Sequence, residues 1–173
     1  MCLKILGSIF LIASAATIGC MKADELRQRV KSLNELKRSM ILLQGELRFH
    51  RATLSEAFEN ISGRVKYPFD KYFEEISKAL ETENSVGFLS LWSEMSEKII
   101  SDAGLKKEDK ALLELLGGSL GFLDITMQIE NLNLTILQTE DAISSAKEQL
   151  TVKGKLYQTM GVTVGAFLTL LII

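Results

Sequence analysis

The sequence predicts an all-α fold: a bundle of about six helices between two transmembrane helices, with long N- and C-terminal helices forming an antiparallel stalk. Three observations carry this expectation. The 173 residues include one proline, and no run alternates Val, Thr and Tyr with polar residues as a half-buried strand does. Apolar residues recur at spacings of three and four along most of the chain. Every charged side chain except Lys4 falls between Lys22 and Lys155, leaving an uncharged block at each end.

The first block, Ile5 to Met21, is 17 uncharged residues, and the last, Leu156 to Ile173, is 18. As helices rising 1.5 Å per residue, each reaches roughly 26 Å, near the short limit for crossing hydrocarbon. The first block also has the shape of a cleaved signal peptide, and Gly19 before Cys20 gives a weak lipoprotein match, with Thr17 where such sites carry Leu. Charge argues for retention. Lys22, Arg27, Arg29, Lys31, Lys37 and Arg38 follow the first block, and Lys147, Lys153 and Lys155 precede the last, whereas the outer flanks carry only Lys4. That bias keeps the middle segment cytoplasmic and both termini outside. The expected division is residues 1–21 as a transmembrane helix, 22–155 as a cytoplasmic helical bundle and 156–173 as a second transmembrane helix. The alternative is an exported or lipidated helical protein. Small residues have a use in such spans: Ala15 and Gly19 stand four apart, and Gly161 and Gly165 form a GxxxG pair. That spacing lets a neighbouring backbone approach closely in lipid, although ordinary transmembrane glycine produces the same pattern.

Between the blocks the elements follow in order. Leu26, Val30, Leu33, Leu36, Met40, Leu43 and Leu47 define one stripe, so the first helix continues out of the membrane. Arg51-Ala52-Thr53 breaks it, and Thr53 with Glu56 forms a capping box ahead of Leu54, Ala57, Phe58 and Ile61. Gly63 closes that short helix. Pro68 suits the first turn of the next, whose apolar face is Phe69, Tyr72, Phe73, Ile76 and Leu80. Asn84 or Ser85 opens a helix carrying Phe88, Leu91, Trp92, Met95, Ile99 and Ile100, which ends near Gly104. A short Leu-rich helix follows Lys106 to Lys110, and the glycines at 117, 118 and 121 read as a tight helix–helix corner. Finally Ile125, Ile129, Leu132, Ile136, Thr139, Ile143, Ala146 and Leu150 alternate spacings of four and three, predicting one helix from about Asp124 to Ile173.

Charge is segregated along the chain. Lys22 to Lys66 holds ten basic and six acidic residues, a balance of +4, while Tyr67 to Leu150 holds seven basic and sixteen acidic, a balance of −9. The basic part suits an anionic membrane surface. The acidic part suits either a basic partner or a solvated helix surface.

Chemistry is not encoded in any recognisable set. His50 is the single histidine and follows Phe49 at a predicted helix end, with both cysteines, Cys2 and Cys20, in the first block. No GxxxxGK[ST] loop occurs, and Gly117-Gly118-Ser119-Leu120-Gly121 lacks both the lysine and a preceding strand. Glu74/Glu75 and Glu108/Asp109 are adjacent on helices, so their side chains diverge by about 100°. Basic residues are mixed with acids and the aromatics lie on apolar faces, which does not suit nucleic acid. The expectation is a non-enzyme without cofactor or metal.

These segments resemble the stage III sporulation protein AB family of endospore-forming bacteria. The resemblance rests on Leu3-Lys4-Ile5-Leu6-Gly7, on Gly45-Glu46-Leu47-Arg48-Phe49, and on Thr53-Leu54-Ser55-Glu56-Ala57-Phe58. Its strongest part is Leu116-Gly117-Gly118-Ser119-Leu120-Gly121-Phe122-Leu123-Asp124 with Gln128, then Lys155-Leu156-Tyr157 and Gly161, matching LGxSLGxxDxxxQ and KLYxxLG; Met160 departs from the pattern's leucine. The resemblance implies a mother-cell membrane protein, facing the forespore, of the complex that links the two cells during engulfment. It implies a cytoplasmic domain similar to the helical domain of type II secretion F proteins, the platform that meets the secretion ATPase. The partners it implies are membrane lipid and other proteins of the same operon, including the ATPase AA; a homo-oligomer is a further expectation. Asp124 and Gln128 share a helix face, either as a docking contact or as helix cap and first-turn packing. Arg48 is a third candidate for a partner or capping contact.

Overall fold

A computed structural model describes the backbone of residues 2–50, 53–82, 87–120 and 124–172, and the side chains of these except at 2–13, 15, 16, 50, 82, 157, 158, 161, 162 and 164–172. Among the described residues the chain is all-helical, with no strand: α1 (Cys2–Gly45), a π-helical turn (Glu46–His50), α2 (Leu54–Ser62), α3 (Phe69–Thr82), α4 (Phe88–Asp102), a 3-10 turn (Lys107–Asp109), α5 (Lys110–Leu120) and α6 (Ile125–Ile172). It packs as two compact units, Lys31–Ser144, and Met1–Val30 with Ser145–Ile173.

In the larger unit, the predicted α1 stripe is the core: Leu33, Leu36, Met40 and Leu43 are fully buried and Leu47 nearly so. Across this stripe runs α6, antiparallel to α1. Lys37 Nζ lies 2.9 Å from Glu140 Oε1, and Gln44 Nε2 donates to Asn133 Oδ1 at 2.7 Å. The inner face of α6 keeps Leu132, Thr139, Ile143 and Ala146 of the predicted stripe and departs from it at other positions. Ile125 is exposed and Ile129 and Ile136 are half-buried, while Gln128, Leu132, Thr135 and Thr139 are buried. Thr135 and Thr139 are tolerated there because their hydroxyls donate to the carbonyls of Asn131 and Thr135, 2.9 and 2.8 Å away. Thr139 lies on the predicted stripe, whereas Thr135 lies off it.

The short helices form where local chemistry demands. At the start of α2 the Thr53 hydroxyl accepts from the Glu56 amide at 3.3 Å while the Glu56 carboxylate accepts from the Thr53 amide at 2.9 Å. These contacts, the amide first and the Thr53 hydroxyl second, hold the Glu56 carboxyl below its ordinary value. Pro68 precedes α3 instead of lying in its first turn. α4 ends two residues before Gly104, whose φ of 64° is the left-handed conformation that glycine adopts without a Cβ penalty. The expected start of α4 at Asn84 or Ser85 lies outside the described residues; the helix is described from Phe88.

α2 and α3 are joined by stacked rings, Phe58 on Phe73 with centroids 5.6 Å apart and planes within 9°. Ser55 and Ser77 exchange hydroxyl-to-carbonyl hydrogen bonds of 3.1 and 2.9 Å beside them. α1 is tied to the loops that leave the short helices. The Ser32 hydroxyl donates to the Ala103 carbonyl at 2.5 Å, and the Glu35 carboxylate accepts from the Lys66 amide at 2.9 Å.

In the smaller unit, Arg29 Nη1 donates to Gln149 Oε1 at 3.4 Å. Gly19 and Ala23 on α1 and Ala146 and Gly154 on α6 are buried. Among the described residues no helix is long and apolar enough to cross a membrane. Most side chains of the two blocks at 1–21 and 156–173 lie outside the described residues.

Candidate functional site

The strongest sequence motif converges on one side chain. Trp92 of α4 is 2% exposed. Its ring centroid lies 5.8 Å from Phe58, 5.6 Å from Tyr72 and 5.6 Å from Phe88, and its Nε1 donates to the Leu113 carbonyl at 2.7 Å. The floor of this seat is Gly117. A Cβ built there would fall inside the indole, 2.7 Å from Cγ and closer still to Cδ1 and Nε1. Gly117 and Gly118 therefore do not form a corner: both lie within α5, and the first lets an indole reach the helix backbone. Gly121 lies outside the described residues. Next to the indole, the Ser96 hydroxyl donates to the Trp92 carbonyl at 2.7 Å and lies 3.4 Å from the Tyr72 hydroxyl. Burial pushes the Tyr72 phenol well above its ordinary pKa, so it stays protonated and offers no base.

The motif continues into the start of α6. Asp124 is exposed, and its Oδ1 accepts from the Thr126 amide at 3.0 Å, the geometry of a helix N-cap. Gln128 is 6% exposed and donates through Nε2 to the Leu120 carbonyl at 3.1 Å. That bond joins the last described turn of α5 to the first of α6. Asp124→Ala is expected to cost about 1 kcal/mol, read in urea denaturation. An unchanged midpoint together with lost partner binding would make Asp124 a docking residue instead.

Arg48 is exposed in the π-helical turn, with its guanidinium carbon 5.8 Å from the centroid of the neighbouring Phe49 ring. It makes no ion pair with Asp124 among the described residues. The charged residue that the turn buries is Glu46, 5% exposed, which accepts from Arg64 Nη1 and Asn60 Nδ2, each at 3.1 Å. Sequence reasoning missed this contact. Partners 14 and 18 residues away leave no local periodic signal. The side chain of His50, and those of Ala15, Gly161 and Gly165, lie outside the described residues; Gly19 is buried.

Between α3 and α4 lies a cavity of about 250 Å³ with Pro68, Met95 and Ile99 among its apolar walls. Glu75 and Lys98 pair at 3.0 Å on its rim. Its lining also includes Lys71 and Asp102 and holds no histidine, cysteine or serine. Among the described residues no group of three or more His, Cys, Asp or Glu side chains is placed to hold a metal ion.

A helical body whose glycine-rich motif serves packing is best placed by its relatives. Residues 4–173 match the stage III sporulation protein AB family. The chain belongs to that family. It is 23% identical over 170 residues to stage III sporulation protein AB of Bacillus subtilis (strain 168), covering 98% of this chain and 99% of that one. It also resembles a solved structure of a stage III sporulation protein AB, with a TM-score of 0.63 and 20% identity over 71% of this chain and 96% of that chain. At that identity the likeness shows the fold. Family membership supports a role in sporulation. The relatives are named for sporulation and not for a reaction.

Proposed function

We propose that this protein is a membrane-anchored, non-enzymatic adaptor of the mother cell–forespore channel complex in endospore formation. Its helical body is an assembly platform for the complex's ATPase, protein AA of the same operon. The observation that carries this is the family match over residues 4–173, which takes in both uncharged terminal blocks. In this reading the blocks are two membrane spans and α1 and α6 leave the bilayer as an antiparallel stalk. The nine basic residues on their inner flanks hold the body on the cytoplasmic side. Exposed acids on α4 and α5, Glu94 together with Glu97 and Glu114, which share Lys110, leave a net negative surface that complements a basic partner.

Full-length protein in native membrane, used as bait in sporulating cells with in-cell cross-linking, is expected to capture the ATPase. Capture of other channel components without it would overturn the adaptor role. Topology is read separately, in a chain with Cys2 and Cys20 replaced by serine and the exposed Ser93 replaced by cysteine. A membrane-impermeant maleimide is expected to react only after permeabilisation, and labelling of intact cells would overturn the cytoplasmic placement.

A further inference from the structure

The outer face of the α1/α6 pair in the larger unit carries two stripes that match each other. On α1 and the π-helical turn that continues it the stripe is Arg38, Ile41, Gly45 and Arg48, at spacings of three, four and three. On α6 it is Glu130, Leu134, Leu137 and Asp141, at spacings of four, three and four. Ile41, Leu134 and Leu137 are 48%, 54% and 58% exposed, although each is a large aliphatic side chain. Glu130 and Asp141 have no ion-pair partner among the described residues. Gly45 has open space where a Cβ would stand, so packing within the chain does not require glycine there.

We propose that this face joins two copies of the chain about a two-fold axis parallel to the helices. The register follows from the contacts within one chain, which place Lys37 beside Glu140 and Gln44 beside Asn133. A two-fold axis along the helices preserves height and exchanges the two stripes, so α1 of one copy lies on α6 of the other. At heights matched to within two residues, about 3 Å, Arg38 then meets the partner's Asp141, Ile41 the partner's Leu137, and Arg48 the partner's Glu130. The partner's Leu134 enters the gap over Gly45. The opposite choice, an axis across the helices, lays α1 on α1 and sets arginine against arginine. Electrostatic complementarity selects the first arrangement. It also leaves the two α1 helices parallel, the sense in which two chains inserted in one bilayer stand. The inference does not depend on the ATPase reading, since a dimer forms or fails with purified protein alone.

The test uses the full chain in detergent and sedimentation equilibrium. Wild type is expected to be dimeric at micromolar concentration. Arg38→Glu/Arg48→Glu makes both stripes acidic and Glu130→Arg/Asp141→Arg makes both basic, so each variant alone is expected to self-associate more than about 100-fold more weakly. An equimolar mixture of the two is expected to recover the dimer, because both stripe contacts are again between opposite charges. All four positions are exposed and the ion pair that Arg38 makes with Glu35 is long, 3.6 Å, and at the surface, so the variants should melt close to wild type. A monomeric wild type, a variant that dimerises as wild type does, or a mixture that stays monomeric overturns the proposal.

Discussion

Trp92→Ala is expected to cost about 3–5 kcal/mol and to lower the melting temperature by about 10 °C or more, followed by far-UV circular dichroism. The size follows from what the indole touches. It is the meeting point of α2, α3 and α4 through Phe58, Tyr72 and Phe88, and it reaches α5 through the 2.7 Å bond to the Leu113 carbonyl. Truncation to a methyl group opens a cavity whose walls include Phe58 and Tyr72, which cannot collapse into it without leaving their own contacts with Phe73. Trp92→Phe keeps most of the ring contact and loses the hydrogen bond, so its cost should be nearer 1–2 kcal/mol. A melting temperature for Trp92→Ala within about 2 °C of wild type would show that the four helices are not held through this ring.

How such a centre escapes a sequence reading is instructive. The helices themselves were legible, because amphipathic spacing is a property of consecutive residues. Leu33 to Leu47 read as one stripe and is one, and the Thr53–Glu56 box and the Gly104 stop act locally, as their sequences require. Contacts between helices have no such signature. Phe58, Phe73 and Trp92 each fit an apolar face, yet nothing in their spacing states that they share one cluster. Glu46 reads as an ordinary surface glutamate until Arg64 and Asn60 are brought to it. Ile125 reads as core by period, yet it is exposed while Gln128 turns inward to the Leu120 carbonyl. Among the candidate residues, Asp124 is exposed and accepts from the Thr126 amide, while Gln128 is buried against the Leu120 carbonyl.

Glycine misled the reading most, and the two adjacent glycines of α5 should respond to the same substitution with opposite signs. Glycine in a helix interior is destabilising by about 0.5–1 kcal/mol relative to alanine, so on propensity alone both changes stabilise. At Gly118 propensity is the whole account: the position is exposed and a Cβ meets nothing within 4 Å, so Gly118→Ala is expected to raise stability by about 0.5–1 kcal/mol. At Gly117 the same methyl group must occupy space held by the indole of Trp92. Neither side can give easily, since α5 is fixed by Leu113 and Leu116, both fully buried, and the indole by three rings. Overpacking of this kind costs about 1–3 kcal/mol or more, which exceeds the propensity gain, so Gly117→Ala is expected to destabilise by about 2 kcal/mol. The two effects are tied to one contact. In a Trp92→Leu background the ring that Gly117 accommodates is absent, and Gly117→Ala should turn from harmful to neutral or stabilising, a coupling of about 2 kcal/mol in a double-mutant cycle. Urea denaturation of the four chains measures it, and additive costs would show that Gly117 is glycine for some reason other than the tryptophan.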